Sequence, residues 1–418
     1  MYRSLLIILI APAVAFAQVQ MPAPIPQSIR VEREISIEEL QNLAMTSHPT
    51  LSKMQFMVRA ARGTWVQSGL GPNPELNVDF IELGNEHLNG QREIGITQEI
   101  VTNGKLRLSR QVAKTEWDIS QKELAAQCIS LTSLVKIRVY ELLAAQKYVA
   151  LQQQLLKYRD ESVHISEKMH EAKEVSLVDV VQTRTLRNET NLALKKAIND
   201  EALCWQRLTA TIGQPDFPRC RIANTLEEID RDLQWETAWS NLLASSPELQ
   251  LAQNNVELAY AVLRREKAER RPNLAVSATM GYDTRSVNSY GTVGVSVPLQ
   301  LRNRNQGNIQ KATADLSAAN CEIEMVKLRL QEKLSTVFNQ YLNAKQSVDS
   351  YLQTILPDTQ MNLDLCMKGY QQGEFSYLEL LHIQQSYIES QQQYIQNLRD
   401  LAVSGTQIEG LLTAETDN

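Results

Sequence analysis

The chain has 418 residues, 43% of them apolar and 22% charged, with a formal charge of −6. That apolar content excludes a disordered chain, and 16 Gly with 13 Pro exclude a collagen-like one. An acidic balance with a pI near 5.6 argues against nucleic acid as a partner, since such proteins carry a basic footprint.

Residues 1–17 read as a secretory signal peptide. Arg3 gives the positive start, Leu5 to Ile10 the apolar run, and Ala15-Phe16-Ala17 a cleavage site before Gln18. No Cys follows that site, so no lipid anchor is expected there. Beyond residue 17 no run of ~18 apolar residues occurs, so any membrane crossing must be a β-barrel.

The mature sequence reads as a tandem duplication. His48-Pro49-Thr50-Leu51 returns as Ser246-Pro247-Glu248-Leu249, and Pro74-Glu75-Leu76 as Pro272-Asn273-Leu274, each 198 residues later. Gly95-Ile96-Thr97 returns as Gly294-Val295-Ser296, and Val175-Ser176-Leu177-Val178-Asp179 as Phe375-Ser376-Tyr377-Leu378-Glu379, at almost the same spacing. The expected division is residues 18–220 and 221–418.

Each half opens with one expected helix, about Ser36 to Ser68 and about Trp235 to Glu269, the first with Ser36 and Glu39 as a capping box. Two strands then follow in each half. Leu76, Val78 and Phe80 alternate with Asn77 and Asp79, and Ile94, Ile96 and Ile100 with Glu93, Gly95, Thr97 and Glu99. Leu274, Val276, Ala278 and Met280 alternate with small or polar residues, as do Val293, Val295, Val297 and Leu299. Such alternation over ~10 residues suits a tilted membrane strand, and equally a small soluble sheet.

The helices that follow decide between these. Lys105 to Lys173 contains neither Pro nor Gly, and Asn308 to Leu356 is similarly helical. At 1.5 Å per residue the first would be ~100 Å long, far beyond a globular helix. Leu124, Cys128, Leu131, Leu134, Val135, Val139, Leu142 and Leu143 step by threes and fours, as in a coiled-coil seam. Return helices are expected over Leu177 to Ile212 and Tyr377 to Leu412. Four strands cannot close a barrel, so the chain must oligomerise, and three copies would supply twelve strands. The fold class is mainly α with a small β part: a duplicated protomer of long α-hairpins plus four transmembrane strands.

Of the five cysteines, Cys128, Cys321 and Cys366 lie in helical text and read as small buried apolar groups. Cys204 and Cys220 bracket the turn Gly213-Gln214-Pro215, a spacing open to a disulfide in an oxidising compartment. No CxxC occurs.

The whole mature chain resembles the TolC-like outer-membrane efflux channels, and most closely their CzcC branch, the outer-membrane factors of heavy-metal efflux. The residues that carry this are Gly71-Pro72-Asn73-Pro74-Glu75-Leu76, Thr97-Gln98-Glu99-Ile100 with Asn103-Gly104-Lys105, and the run from Val297 to Ile309. That run holds Pro298, Arg302, Asn303, Arg304, Asn305, Gln306, Gly307 and Asn308, and is distinctive of the metal-efflux branch. The resemblance implies a homotrimer in outer-membrane lipid, with a twelve-stranded barrel continued by an α-helical tunnel into the periplasm. It also implies two further partners, a periplasmic adaptor (membrane-fusion protein) and an inner-membrane pump of the RND type. No cofactor is expected.

By the same resemblance the helix pairs reverse at periplasmic tips, Lys173-Glu174-Val175-Ser176 and Tyr370-Gln371-Gln372-Gly373-Glu374-Phe375-Ser376. Asp179 and Glu379 would face the entrance as acidic rings, or serve simply as helix N-terminal acids. Tyr370 would tie the closed gate or pack between hairpins. Where the family has a second acid, this chain has His382, so a double acidic ring is not expected there.

His48, His87, His164, His170 and His382 show no ligand-pair spacing, and Met45, Met54 and Met57 do not cluster with them, so no metal site is expected. GxSxG, P-loop, Rossmann and HExxH patterns are absent, which argues against an enzyme. The expected function is export of divalent heavy-metal cations, of Co/Zn/Cd or Cu type. The alternatives are a drug-efflux or type I protein-secretion conduit, a periplasmic adaptor, and an envelope coiled-coil spacer.

Overall fold

A computed structural model describes residues 34–81, 90–173, 175–227, 232–284, 286–372 and 374–412. Residues 1–17, expected to be a signal peptide, together with His87 and the tip residues Glu174 and Gly373, lie outside the described residues.

The first half runs β1 (Glu34–Ile35), α1 (Ile37–Ser47), α2 (Pro49–Gln67), β2 (Glu75–Ile81), β3 (Gln91–Ile100), α3 (Lys105–Glu171) and α4 (Leu177–Thr211). The second runs β4 (Arg221–Ile222), α5 (Trp235–Ser245), α6 (Pro247–Glu269), β5 (Leu274–Asp283), β6 (Asn288–Ser296), α7 (Gln306–Ser350), a π-helical turn (Tyr351–Ile355), α8 (Leu356–Gln371) and α9 (Tyr377–Leu412).

Three expectations change. The opening helix of each half is two helices, broken at His48 and Ser246 (ψ 124° and 123°). Each break precedes a proline, which pushes the residue before it out of the helical region and sits comfortably at the first turn of the next helix. His48 Nδ1 then accepts from Thr50 N at 3.2 Å, and Ser246 Oγ from Leu249 N at 3.4 Å, so both residues cap the helix that follows.

The fourth strand ends at Ser296 rather than Leu299, since Pro298 has no N–H to give a ladder. The helix expected to stop near Leu356 continues to Gln371. Pro357 removes a helical donor, and the π turn just before it, where Leu356 N–H bonds Tyr351 O, lets the helix carry on.

The four long strands form one antiparallel sheet in the order β2-β3-β5-β6. Its register sets Leu76 beside Ile96, Ile96 beside Ala278, and Ala278 beside Val293, so a single apolar row crosses the sheet. The next row is Asn77, Gly95, Thr279 and Thr292. Side chains alternate across a strand, so these rows lie on opposite faces.

The main core lies midway along the helices. There α1 and α5 pack across α3, α7 and α9, burying Leu40, Leu142, Leu242, Leu334, Leu401 and Ile408. The parallel pair β1–β4 joins the two halves beside it, with Ile35 opposite Ile222. The seam on α3 is buried at Leu131, Val135, Val139, Leu142 and Leu143, whereas Leu134 is exposed.

Cys366 is buried as expected, but Cys321 is exposed on α7. Cys204 and Cys220 are not joined to each other by a disulfide, and both lie half-buried against the main core. Burial pushes the Cys204 thiol up from its ordinary range.

Candidate channel surface and periplasmic tips

The sheet presents two chemically different faces. On one, Leu76, Met280 and Val293 are 66%, 71% and 79% exposed, an apolar surface with nothing of this chain covering it. On the other stand Asn77, Asp79, Glu93, Thr97, Thr279, Asp283, Tyr290 and Thr292. Tyr290 lies across Gly281, where a Cβ would meet its ring at 2.4 Å, and its O–H donates to Gln91 Oε1 (3.3 Å) and to Glu93. No described helix is long and apolar enough to cross a membrane. The outer strands β2 and β6 each pair on one side only.

Where the sheet meets the helices, the Val297–Ile309 run folds back onto the end of α6. Asn305 takes a left-handed conformation (φ 60°), and its Nδ2 donates to Glu266 O at 2.9 Å and Glu266 Oε2 at 2.7 Å. Its counterpart in the first half, Asn103 (φ 59°), donates to Ala268 O at 3.2 Å. Two carbonyls in the last turn of α6 thus accept from one asparagine of each half, and Gln300 Nε2 meets a third, Glu269 O, at 3.5 Å.

Asn303 Oδ1 accepts from Asn305 N at 3.0 Å, Gln306 Oε1 from Arg304 N at 2.8 Å, and Asn308 Nδ2 donates to Asn305 Oδ1 at 2.7 Å. Gly307 has open space around it, Arg302 is exposed, and Pro298 ends the strand. Lys105, buried at the start of α3, bonds Asn273 (2.8 Å) and Glu269 (3.1 Å).

At the far ends of the helices the two tips share one design. Ser176 Oγ accepts from Asp179 N at 3.3 Å while the Asp179 carboxylate accepts from Ser176 N at 2.9 Å and Oγ at 2.7 Å. Ser376 and Glu379 repeat this at 3.3, 2.7 and 2.8 Å. Glu379 is exposed and Asp179 half-buried, and both carboxylates are held below their ordinary range. The Ser176 hydroxyl is the main cause for Asp179, and the Ser376 backbone N–H for Glu379.

Lys173 adopts the left-handed conformation (φ 63°) where the turn calls for glycine, and His170 Nδ1 bonds Val175 O across it at 3.0 Å. In the second tip Glu374 N donates to Gly369 O at 2.8 Å, and Glu374 itself is exposed. Tyr370 Oη meets Met169 Sδ at 3.0 Å and packs against Leu363, Cys366 and Leu380, so it joins the two hairpins within one chain. His382 is exposed on α9.

The structure thus places Asp179, Glu374, Glu379, Tyr370 and His382 at one end of the molecule and the Pro298–Asn308 motif at the other end of the long helices. Sequence reasoning missed Arg159, buried on α3, which reaches Gln384 and Gln385 on α9 at 3.4 Å each. It also missed Ser166 with Thr183, joined at 2.9 Å. The available signal was a change along α3, from apolar seam residues through Leu143 to Gln152, Arg159, Ser162 and Ser166 at the same helical spacing.

A model of the outer membrane efflux protein family matches residues 40–214 and again 238–414. The chain belongs to that family. It is an outer-membrane efflux channel protein and not an enzyme.

As a member of the outer membrane efflux protein family it is 23% identical to the cobalt-zinc-cadmium resistance protein CzcC of Cupriavidus metallidurans, over 90% of each chain. A crystal structure of CusC matches with a TM-score of 0.75 at 16% identity, covering 95% of this chain and 98% of that one. The outer membrane protein VceC of Vibrio cholerae matches with a TM-score of 0.72 at 17% identity, over 90% and 95%. The open state of MtrE from Neisseria gonorrhoeae gives 0.74 at 16%, over 90% and 88%.

Proposed function

We propose that three copies of this chain close one barrel and tunnel in the outer membrane, and that the channel exports divalent heavy-metal cations of Co/Zn/Cd or Cu type. The observation that carries the cargo is the similarity to a cobalt-zinc-cadmium resistance protein over nine-tenths of both chains. The sheet supports the trimer: one apolar face, and two edge strands whose outer hydrogen bonds need a neighbour in lipid.

An RND-type inner-membrane pump supplies the energy, and a periplasmic adaptor links it to the tips. The polar face carries Asp79, Glu93 and Asp283 into the lumen, where fixed negative charge raises local cation concentration. Threefold symmetry turns Asp179 and Glu379 into rings at the periplasmic entrance, while each carboxylate also caps its helix.

The test is growth of a strain lacking the chain, with and without its restoration, across zinc, cobalt, cadmium and copper, and across dyes and detergents. Sensitivity confined to metals is expected. Sensitivity to dyes and detergents with metals unaffected would keep the channel and remove the metal assignment, leaving a drug-efflux conduit.

A further inference from the structure

Beneath the apolar face of the sheet the chain carries a second exposed apolar stretch. Val293 and Val295 lie on the apolar face of β6, and in the sequence the same spacing runs on past the last paired residue, Ser296, through Val297 to Leu299 and Leu301. These two leucines are 80% and 77% exposed, unusual for a monomeric surface. They rim a cleft between the end of α6 and the loop before α7, whose polar wall includes Arg265, Glu266, Glu269, Arg302, Asn303 and Asn305.

The two carboxylates of this wall are already paired, Glu266 with Arg265 and Glu269 with Lys105 and Arg265. No carboxylate occurs from Val297 to Thr313, or from Val101 to Thr115, while Arg302, Arg304, Arg107 and Arg110 do. Arg302, Arg304 and Arg107 are exposed and form no ion pair among the described residues, whereas Lys105 and Arg265 nearby are paired to Glu269 and Glu266.

A surface that changes within a few residues from exposed leucine to exposed arginine matches the boundary of a lipid leaflet. Acyl chains meet the leucines, and phosphates meet the guanidiniums, which bind them with paired N–H donors. Juxtamembrane basic groups gain affinity from such headgroups. We infer that the mouth of this cleft binds the headgroup phosphate of a phospholipid in the periplasmic leaflet of the outer membrane, with Arg302 of the wall and the exposed Arg304 beside it as the phosphate ligands and Leu299 and Leu301 against the acyl chains. The inference rests on the placement of the apolar sheet face in the membrane.

The test uses the full-length protein purified in detergent from the outer-membrane fraction, incubated with phosphatidylglycerol and read by native mass spectrometry. Bound lipid on the trimer is expected to fall at least several-fold in R302Q/R304Q and in L299S/L301S, and to be unchanged in K157Q on α3. Equal retention by wild type and R302Q/R304Q would overturn it. So would a folded but monomeric R302Q/R304Q protein, which would make the cleft a contact between copies. Competition by glycerol phosphate as effective as the lipid's own binding would make it a soluble-phosphate site instead. If the double variant does not fold, R302Q and R304Q singly carry the comparison. A wild-type protein absent from the outer-membrane fraction would overturn the membrane placement itself, a failure distinct from loss of lipid alone.

Discussion

Arg159 of the first hairpin and Gln384 of the second meet inside the helical wall, Nη1 to Oε1 at 3.4 Å, with only 3% and 7% of their surfaces exposed. Gln385 takes the other guanidinium nitrogen at the same distance. A buried cation survives there because amide oxygens replace its water. Arg159→Met keeps the bulk and strands the Gln384 amide, a loss of about 1–3 kcal/mol. The expected outcome is a lower thermal midpoint and a higher open probability in planar bilayers. An unchanged open probability would show that this contact does not hold the hairpins together at the periplasmic end.

The two capping boxes predict a pH response. Asp179 and Glu379 sit below their ordinary range because serine groups hold the charged form, so their contribution is complete above the unfolded carboxylate pKa of ~4 and is lost as pH falls through the lower folded value. S176A/S376A removes the hydroxyl part of that support and moves the loss to higher pH. Hydrogen exchange across the first turns of α4 and α9, measured between pH 3 and 6, is expected to show earlier fraying in the variant, with α3 protection unchanged.

Gly369 sits under the Phe375 ring so closely that a Cβ would lie 2.3 Å from Cδ2. Gly369→Ala must therefore displace the ring, and with it the loop that Glu374 N ties to Gly369 O. Overpacking of this kind costs about 1–3 kcal/mol. Limited proteolysis is expected to cut the second tip faster in G369A, and G369A/F375A is expected to regain resistance. If F375A does not rescue, the ring is not what the alanine strikes.

Most of the architecture was legible because it is periodic. The strand alternation, the long Gly- and Pro-free helices and the duplicated His48-Pro49 and Ser246-Pro247 corners all survive in the structure, although the corners divide helices that apolar periodicity alone would join. At the two tips Asp179 and Glu379 were legible as helix N-terminal acids, while the serine half of each cap came from the structure. What escaped were interactions whose partners are distant in sequence: Arg159 with Gln384, Tyr370 with Met169, Asn305 with Glu266. An arginine in polar helical text reads as solvated until a second helix is seen to cover it. The continuation through Pro357 was hidden because a π turn depends on backbone geometry that composition does not report.

The two faces of the sheet give the most direct test of the channel. Val293 and Thr292 are neighbours near the middle of β6, so they share a membrane depth. The register puts Val293 in the row of Leu76, Ile96 and Ala278, and Thr292 in the row of Asn77, Gly95 and Thr279. An arginine facing lipid near mid-depth costs about 2–4 kcal/mol per copy, whereas one facing a watery lumen costs little. In the proposed trimer that penalty is paid three times, so V293R is expected to lose the heat-modifiable trimer from the outer-membrane fraction. T292R is expected to assemble normally and to lower cation selectivity in planar bilayers, because three guanidiniums then oppose the carboxylates of the same face. Equal tolerance of both substitutions would mean that the row of Leu76 and Val293 does not face lipid. The reverse pattern, with T292R lost and V293R assembled, would turn the sheet inside out and put the carboxylates outside the lumen.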